Sequence, residues 1–118
     1  MDDEELSRSI AWEMLDFLGH SVILAANGEQ AVDYYRLAHE TGEPFSLVIL
    51  DLVVPDGMGG EEAAAGILQM DPSARIIVSS SFTSNAGMLH CREYGFCGIL
   101  NKPYKVEDIQ QVLGEVGS

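Results

Sequence analysis

The sequence predicts an α/β fold built on a parallel sheet, and two observations lead to this prediction. Short apolar runs alternate along the chain with longer segments in which apolar residues recur at helical spacing. The short runs are apolar at successive positions, which is typical of strands that helices cover on both faces. With 118 residues, of which 47% are hydrophobic, we expect residues 1–118 to form a single domain around one core.

The first half of the chain contains two predicted helices and one predicted strand. A helix is expected at residues 6–18, where Gly19 ends a pattern of apolar residues at helical spacing: Leu6, Ile10, Met14 and Leu18. Residues 21–26 are continuously apolar after Ser21 and are predicted to form a strand. A second helix is expected at residues 29–39. Its predicted inner face consists of Ala31, Val32, Tyr35, Leu37 and Ala38.

The second half repeats the alternation of strands and helices. The predicted elements are, in order, a strand at 47–51, a helix at 61–70, a strand at 75–79, a helix at 86–94, a strand at 96–100 and a helix at 106–116. The helix at 61–70 is expected to end at Asp71, because the following Pro72 disfavours helical backbone in the residue before it. No strand precedes the acidic residues at the start of the chain, so the pattern has one strand fewer than a regular alternation would have.

Polar side chains come directly after three of these apolar runs. Asp51 ends the run that begins at Phe45, Ser80 follows the next run, and Lys102 follows the last strand. The carboxyl ends of neighbouring parallel strands meet at one crevice, which is where such folds bind ligands. Together with the pair Asp2-Asp3, these residues would place three acids, a hydroxyl and a lysine in that crevice. Such a set can hold a metal ion and a phosphoryl group.

Composition narrows the classes of partner. The formal net charge of −13, from 19 acidic and 6 basic residues, disfavours direct binding to nucleic acids or to anionic membranes. Partners are therefore expected to be proteins, metal ions or basic surfaces. Cys91 and Cys97 lack the paired spacing of a zinc site, and two thiols fit a reducing cytoplasm. No apolar run is long enough for insertion into a bilayer.

A set of motifs spread along the chain indicates a family. They are Asp2-Asp3-Glu4-Glu5, Leu24-Ala-Ala-Asn-Gly-Glu-Gln-Ala, Val48-Ile-Leu-Asp51-Leu, Pro55 with Gly57-Met58, Ser80, and Lys102-Pro103-Tyr104. In these motifs the chain resembles, over essentially its whole length, the receiver domain of two-component response regulators. It is particularly similar to receivers at the C-terminal end of hybrid sensor histidine kinases. The resemblance implies a flavodoxin-like, doubly wound parallel sheet of strand order 2-1-3-4-5 with helices on both faces.

The resemblance also implies a metal-assisted phosphoryl-acceptor site. Asp51 would be the phosphoacceptor, since a carboxylate can form an acyl phosphate. Mg²⁺ would be held by Asp51, by Asp3 directly, by Asp2 through water and by the backbone carbonyl of Val53. Mg²⁺ suits such a site because it takes few carboxylates, keeps several waters and binds phosphate oxygens.

Further roles follow from the same resemblance. Lys102 and Ser80 would contact phosphoryl oxygens, and the bond between Lys102 and Pro103 would be a cis peptide. Ile99 stands where the family has its switch aromatic residue, so coupling through a rotating ring cannot operate in that form. The phosphoryl donor would be a phosphohistidine of a sensor histidine kinase or phosphotransfer domain, and phosphorylation would shift the domain between inactive and active states. Water attack would make it a slow self-phosphatase.

The missing first strand is a departure from the family pattern. In the strand order 2-1-3-4-5 this strand lies between the two that contain Val22 and Val48, so its loss would leave two inner sheet edges unpaired. We expect the chain to be truncated at its N-terminus, with Met1 as the last residue of that strand and kinase domains possible upstream. If the strand is truly absent, the chain is expected to be unstable, to form a strand-swapped dimer, or to close the sheet by a shift of its elements.

Two other classes of function remain open from the sequence. A non-phosphorylated pseudo-receiver that acts as a protein-binding module is favoured by Ile99 and by the missing strand. An enzyme of the aspartyl-phosphate hydrolase class usually needs a second acid two residues after its nucleophile, and position 53 is Val. We therefore expect a signalling domain rather than an enzyme.

Overall fold

Helices and parallel strands alternate in the computed structural model, which describes residues 1–51, 58–80, 98–102 and 104–117. The helices are α1 (Glu5–Phe17), α2 (Gly28–Glu40), α3 (Gly60–Met70) and α4 (Val106–Gly117). The strands are β1 (Val48–Asp51), β2 (Ile76–Ser80) and β3 (Gly98–Asn101). The predicted α/β class is confirmed. Within this part of the chain no helix is both long and apolar enough to cross a membrane.

The three strands form one parallel sheet in the order β1-β2-β3. Leu50 of β1 lies beside Val78 of β2, which in turn lies beside Ile99 of β3. This order agrees with the last three strands of the predicted arrangement. Because all three strands run in the same direction, their carboxyl ends lie at one edge of the sheet.

Helices cover both faces of the sheet, and the central strand β2 shows this directly. Ile76 and Val78 are fully buried in a cluster with residues of α2 and α3. Ile77 is fully buried in the other cluster, with Ile109 of α4 and the partly buried Leu15 of α1 packed around it. Successive residues of a strand point to opposite faces, so a continuously apolar run serves both layers.

The predicted strand at residues 21–26 is wrong, because this segment forms no strand in the structure. A strand needs a neighbour that supplies hydrogen bonds along its length. Here the Ala25 carbonyl accepts a hydrogen bond from the Asp2 backbone N–H at 3.1 Å. Met1 and Asp2 are too short a partner to extend this contact into a ladder.

Two helix faces also differ from the sequence prediction. On α1, Leu6 is 72% exposed and Ile10 is 42% exposed, while Leu15 turns toward the interior. On α2, Ala31, Val32 and Tyr35 are buried as predicted, but Leu37 is 62% exposed. Periodicity identifies a helix, but which of its residues are buried depends on the neighbour against which the helix packs.

Some predictions fall outside the described residues. These are the helix at 86–94, the first residues of the strand at 96–100, the Val53 carbonyl and the Lys102-Pro103 cis peptide. The remaining predicted boundaries agree with the structure to within one or two residues. This is the usual uncertainty of helix and strand ends.

Candidate functional site

The acidic site lies at the carboxyl-terminal edge of the sheet. Asp51 is the last residue of β1, and Lys102 follows β3 directly. Asp2 reaches the same edge from the start of the chain. Strand direction explains the first two positions, since neighbouring parallel strands end at the same edge.

Backbone hydrogen bonds hold Met1 and Asp2 in strand-like positions beside β1. The α-ammonium of Met1 donates to the carbonyl of Ile49 at 2.5 Å, and the Asp51 N–H donates to the Met1 carbonyl at 2.9 Å. This pair of bonds is the pattern of a parallel ladder, with Met1 opposite Leu50. The next residue, Asp2, donates its backbone N–H to the Ala25 carbonyl, on the side facing away from β1. Asp2 is thereby placed next to Asp51.

Three carboxylates converge at this edge. One oxygen from each of Asp2, Asp3 and Asp51 lies within 4.8 Å of the others. Asp2 is 7% exposed and Asp51 is 6% exposed, whereas Asp3 is open to solvent. The Lys102 Nζ donates to Asp2 Oδ2 at 2.5 Å and to Asp51 Oδ2 at 3.3 Å. The Lys102 ammonium group therefore bridges the two buried carboxylates. Together with Asp3, these carboxylates carry more negative charge than one ammonium group can neutralise.

Asp2 is fixed further by the beginning of α1. Its Oδ1 accepts a hydrogen bond from the Glu4 N–H at 3.0 Å, and the Arg8 guanidinium donates to its backbone carbonyl at 2.8 Å. Arg8 was not singled out from the sequence. The available signal was weak, since a basic residue one turn into an acidic helix start is ordinary on a surface. Only its contact with Asp2 gives it a place at the site.

The electrostatics of the site are governed by burial and by the carboxylates. Partial burial alone would lower the pKa of Lys102, but the hydrogen bond to Asp2 and the charges of Asp51 and Asp2 outweigh it and raise the pKa overall. Burial lowers the pKa of the Met1 ammonium to about 6, although Asp2 and Asp51 act in the opposite direction. Lys102 therefore stays protonated at neutral pH and provides a permanent positive charge at the site.

The structure brings together four of the residues selected from the sequence, namely Asp2, Asp3, Asp51 and Lys102. Ser80 ends β2 beside Asn101, which puts its backbone at the same edge of the sheet. Ile99 lies within β3 opposite Val78. The side chains of Ser80 and Ile99, and all of Val53 and Pro103, lie outside the described residues.

The chemistry of this donor set fits Mg²⁺. Three carboxylates within reach of one another supply hard oxygen ligands, and Asp3 leaves one side of the group open to water. Mg²⁺ favours one or two protein carboxylates with the rest of its shell supplied by water or phosphate oxygens. The arrangement can therefore combine a divalent cation, a carboxylate nucleophile and a protonated ammonium group.

Comparison with known proteins finds related sequences and solved structures with a similar fold. The chain is 34% identical to sensor histidine kinase AruS of Pseudomonas aeruginosa over all of its own length, which is 12% of the length of that kinase. It superimposes with a TM-score of 0.89 on a chain of the CheX-CheY-BeF3-Mg complex of Borrelia burgdorferi, at 24% identity, covering 99% of this chain and 85% of that one.

A third relative is the receiver domain of sensor histidine kinase PA1611 from Pseudomonas aeruginosa, solved with a magnesium ion coordinated in its active site cleft. The TM-score is 0.83 at 25% identity, covering 100% of this chain and 94% of that one. The family model for the response regulator receiver domain matches residues 1–114. With this match, the parallel sheet and the acidic edge, the chain belongs to the response regulator receiver domain family.

Proposed function

We propose that this chain is a phosphoryl-accepting receiver of two-component signalling, in which Asp51 takes a phosphoryl group from a phosphohistidine. The observation that carries the proposal is the bridge from Lys102 to Asp2 and Asp51 within a group of three carboxylates. A purely structural ion pair would need one acid for one base. Three acids at one site repel one another, and a divalent cation relieves that repulsion.

The transfer step conserves atoms and charge in a simple way. A carboxylate oxygen of Asp51 forms a bond to phosphorus while the phosphorus–nitrogen bond of the donor histidine breaks. The bonding electron pair returns to the imidazole, which takes up a proton. Phosphoryl transfer depends mainly on positioning and on neutralisation of charge. The chain therefore needs no general base of its own.

Each site residue has a defined role in this proposal. Asp2, Asp3 and Asp51, with the backbone carbonyl of Val53, would hold Mg²⁺, which supplies positive charge to the phosphoryl oxygens when bound. Lys102 would move from its present bridge to a phosphoryl oxygen as a compact, mobile cation. The Ser80 hydroxyl would donate to another phosphoryl oxygen, and this contact would shift the equilibrium between inactive and active states.

The partner class follows from the phosphoryl donor. A sensor histidine kinase or a phosphotransfer domain would supply the phosphohistidine, as expected for a chain related to AruS and to the PA1611 receiver. We also propose that residues 1–118 function as one receiver domain. Water attack on the acyl phosphate would give slow self-dephosphorylation and no other enzymatic activity.

The test is intact-mass analysis after incubation with acetyl phosphate, with and without Mg²⁺. The expected result is a gain of one phosphoryl group that requires Mg²⁺ and is lost in Asp51→Asn. Asp33→Asn is a matched control, because Asp33 is an exposed helical acid paired with Arg36 on the surface. Labelling of the Asp33→Asn variant should equal that of the unaltered chain.

A second candidate is a pseudo-receiver that binds a partner protein without being phosphorylated. Ile99 in the switch position favours it, because that position lacks the aromatic ring that the family uses. Absence of Mg²⁺-dependent labelling in a folded chain would support this candidate and contradict the first. Labelling that persists in Asp51→Asn would mean that another residue is the acceptor.

A further inference from the structure

Arg8, a basic residue in the first half of α1, binds a backbone carbonyl rather than a carboxylate. Its Nη1 donates to the carbonyl of Asp2 at 2.8 Å. Glu4 and Glu5 precede it by four and three positions, the spacing at which oppositely charged side chains on a helix usually pair. Among the described residues, neither Glu4 nor Glu5 forms an ion pair with Arg8. The contact with Asp2 is therefore formed in preference to two nearby helical ion pairs.

The bond from Arg8 fixes the peptide unit that joins Asp2 to Asp3. A peptide unit is planar, so holding its carbonyl oxygen also sets the direction in which the Asp3 backbone continues. On its other side, Asp2 donates its N–H to the Ala25 carbonyl at 3.1 Å. Both backbone polar groups of Asp2 are thereby bonded, and rotation of the peptide between Asp2 and Asp3 would break the bond to Arg8.

Asp3 depends on this peptide more than the other two acids of the site do. The carboxylates of Asp2 and Asp51 are both bonded to Lys102. The Asp3 side chain is exposed, and within the part of the chain that the structure describes no hydrogen bond holds its carboxylate. The orientation of the Asp3 carboxylate therefore comes from its backbone, which Arg8 holds.

The direction of the Asp3 carboxylate decides whether it can take part in metal binding. One of its oxygens lies within 4.8 Å of oxygens of Asp2 and Asp51. Mg²⁺ requires nearly octahedral geometry with short bonds, so a carboxylate that points elsewhere cannot serve as a ligand. Residues that only orient metal ligands typically change the affinity for the metal by about 10- to 100-fold.

We propose that Arg8 is a positioning residue of the metal site: its bond to the Asp2 carbonyl directs the Asp3 carboxylate toward Asp51 and so raises the affinity for Mg²⁺. Arg8 itself touches neither the cation nor a phosphoryl group. This role rests on the cation binding that the proposed function includes, but it does not depend on phosphoryl transfer to Asp51.

The charge of Arg8 acts against Mg²⁺, which separates positioning from electrostatics. A guanidinium group at this edge repels a divalent cation, so removal of its charge should by itself strengthen Mg²⁺ binding. Loss of positioning should weaken Mg²⁺ binding instead. The two effects have opposite signs. The positioning effect is expected to be the larger one, because the bond to Asp2 is direct whereas solvent and salt screen the charge of a side chain that is only partly buried.

The test is isothermal titration calorimetry with MgCl₂ on the unaltered chain, Arg8→Met and Arg8→Lys. Methionine keeps an apolar stem of similar length but has neither the charge nor the donors, and Arg8→Met should weaken Mg²⁺ binding by roughly tenfold or more. Lysine keeps the charge and can donate one hydrogen bond, so Arg8→Lys should bind Mg²⁺ more tightly than Arg8→Met. If charge alone mattered, Arg8→Met would be the tightest binder, and this order would overturn the proposal.

Two controls show that the change in affinity belongs to this position. Arg36→Ala alters the net charge by the same amount as Arg8→Met, and Arg36 pairs with Asp33 on the surface of α2. Its Kd for Mg²⁺ should remain close to that of the unaltered chain. Thermal unfolding in EDTA shows which variants are folded before titration. Arg8→Ala takes the place of Arg8→Met if the latter does not fold.

A double-mutant cycle with Asp3→Asn tests whether Arg8 acts through Asp3. In the Asp3→Asn background, Arg8→Met should cause no further weakening of Mg²⁺ binding, because the carboxylate that Arg8 directs is absent. Equal weakening in both backgrounds is the result expected if Arg8 merely supports the fold. That result would contradict a positioning role.

The same variants separate the role of Arg8 from phosphoryl acceptance. With acetyl phosphate, Arg8→Met should raise the Mg²⁺ concentration that gives half of the maximal labelling rate and leave the rate at saturating Mg²⁺ nearly unchanged. Weaker Mg²⁺ binding by Arg8→Met, without labelling of Asp51 in any variant, would support the role of Arg8 and contradict phosphoryl acceptance. Labelling of Asp51 with an unchanged Kd for Mg²⁺ in Arg8→Met would do the reverse. An unaltered chain that does not bind Mg²⁺ would contradict both.

Discussion

At the residue scale, Lys102 connects the two buried acids of the site. Its side chain is 16% exposed, and its Nζ reaches both Asp2 and Asp51. Electrostatic attraction at such short range is strong where solvent is partly excluded. The same ammonium group would stabilise negative charge on a phosphoryl group. Lys102 would therefore pair with the carboxylates before phosphorylation and with the phosphoryl group after it.

Replacing Lys102 by Ala should lower the initial rate of acyl phosphate formation by roughly a hundredfold to a thousandfold, as for loss of one positioned donor. The reason is that the ammonium no longer offsets charge on the transferred group. Mass spectrometry over time with acetyl phosphate and Mg²⁺ measures this rate. Lys105→Ala is the control, because Lys105 is exposed and lies outside the acidic group. An unchanged rate in Lys102→Ala would contradict the role assigned to it.

A second cluster of hydrogen-bonded side chains lies away from the acidic site, around Asp71, the residue that follows α3. Its Oδ2 accepts a hydrogen bond from the Tyr35 hydroxyl at 2.7 Å, and its Oδ1 accepts from the Ser73 hydroxyl at 2.7 Å and the Ser73 N–H at 3.1 Å. Hydrogen bonds from Ser73 and then Tyr35 hold the pKa of Asp71 below its ordinary value. The ionised form is therefore the one that these contacts stabilise.

The pH dependence of stability follows from the lowered pKa of Asp71. The ionised Asp71 carboxylate contributes to the free energy of unfolding. This contribution is fully present above the ordinary pKa of an aspartate, about 3.9, and is lost as the pH falls through the lower pKa of the folded state. Urea unfolding between pH 2 and 7 should show a smaller acid-induced loss of stability in Asp71→Asn than in the unaltered chain. Asp33→Asn should retain the original dependence, and identical curves for all three would refute the assignment.

At the element scale, the start of α2 shows how a loop and a helix are joined. The Asn27 side chain accepts a hydrogen bond from the Gln30 N–H at 2.9 Å, which caps the helix. The next residue, Gly28, donates its N–H to the Met58 carbonyl at 2.9 Å. A Cβ at Gly28 would lie 2.6 Å from that carbonyl oxygen, so the close approach requires glycine.

Two glycine substitutions should therefore have opposite effects. Gly28→Ala should lower the free energy of unfolding by about 1–3 kcal/mol, the usual cost of added bulk in a close contact. Gly114→Ala should raise it by up to about 1 kcal/mol, because Gly114 lies in α4 with no atom within 4 Å of an added Cβ and alanine favours helix. Urea unfolding of both variants measures the difference. Stabilisation by Gly28→Ala would show that the backbone at Met58 can move away from the added Cβ without an energetic cost, which would contradict the prediction.

At the scale of the whole molecule, 19 acidic residues outnumber 6 basic ones. The net charge of −13 opposes compaction through mutual repulsion. Three of the acids converge at one point of the sheet edge. A cation bound there would act on the stability of the entire domain, since it binds the folded arrangement and has no such site in the unfolded chain.

Mg²⁺ should therefore raise the Tm of the chain. At a Mg²⁺ concentration one hundred times its Kd, the free energy of unfolding is expected to rise by about 2.7 kcal/mol. Differential scanning calorimetry with MgCl₂, and with NaCl at equal ionic strength, separates site binding from general screening. The excess effect of MgCl₂ should disappear in Asp51→Asn and persist in Asp33→Asn. An equal shift with both salts would contradict a specific site.

Much of the fold and the polar composition of the site could be predicted from the sequence, because both depend on local patterns. Continuous apolar runs such as Val48–Leu50 indicate strands covered on both faces, and helical spacing indicates the helices between them. The position of Asp51 and Lys102 at strand ends then follows from the common direction of the strands. The sequence by itself determined the fold class and the position of Asp51 and Lys102 at strand ends, while the strand order followed from the resemblance to the receiver family.

Only the tertiary structure decided whether each pattern was realised. Residues 21–26 carry a strand-like pattern, yet they form no strand, since a strand depends on a partner that local sequence does not supply. The contact of Arg8 with Asp2, the bridge from Lys102 and the strand-like bonds of Met1 join residues distant in sequence or belonging to different elements. Such contacts depend on packing and on hydrogen-bond partners across the sheet, and these exist only once the chain has folded.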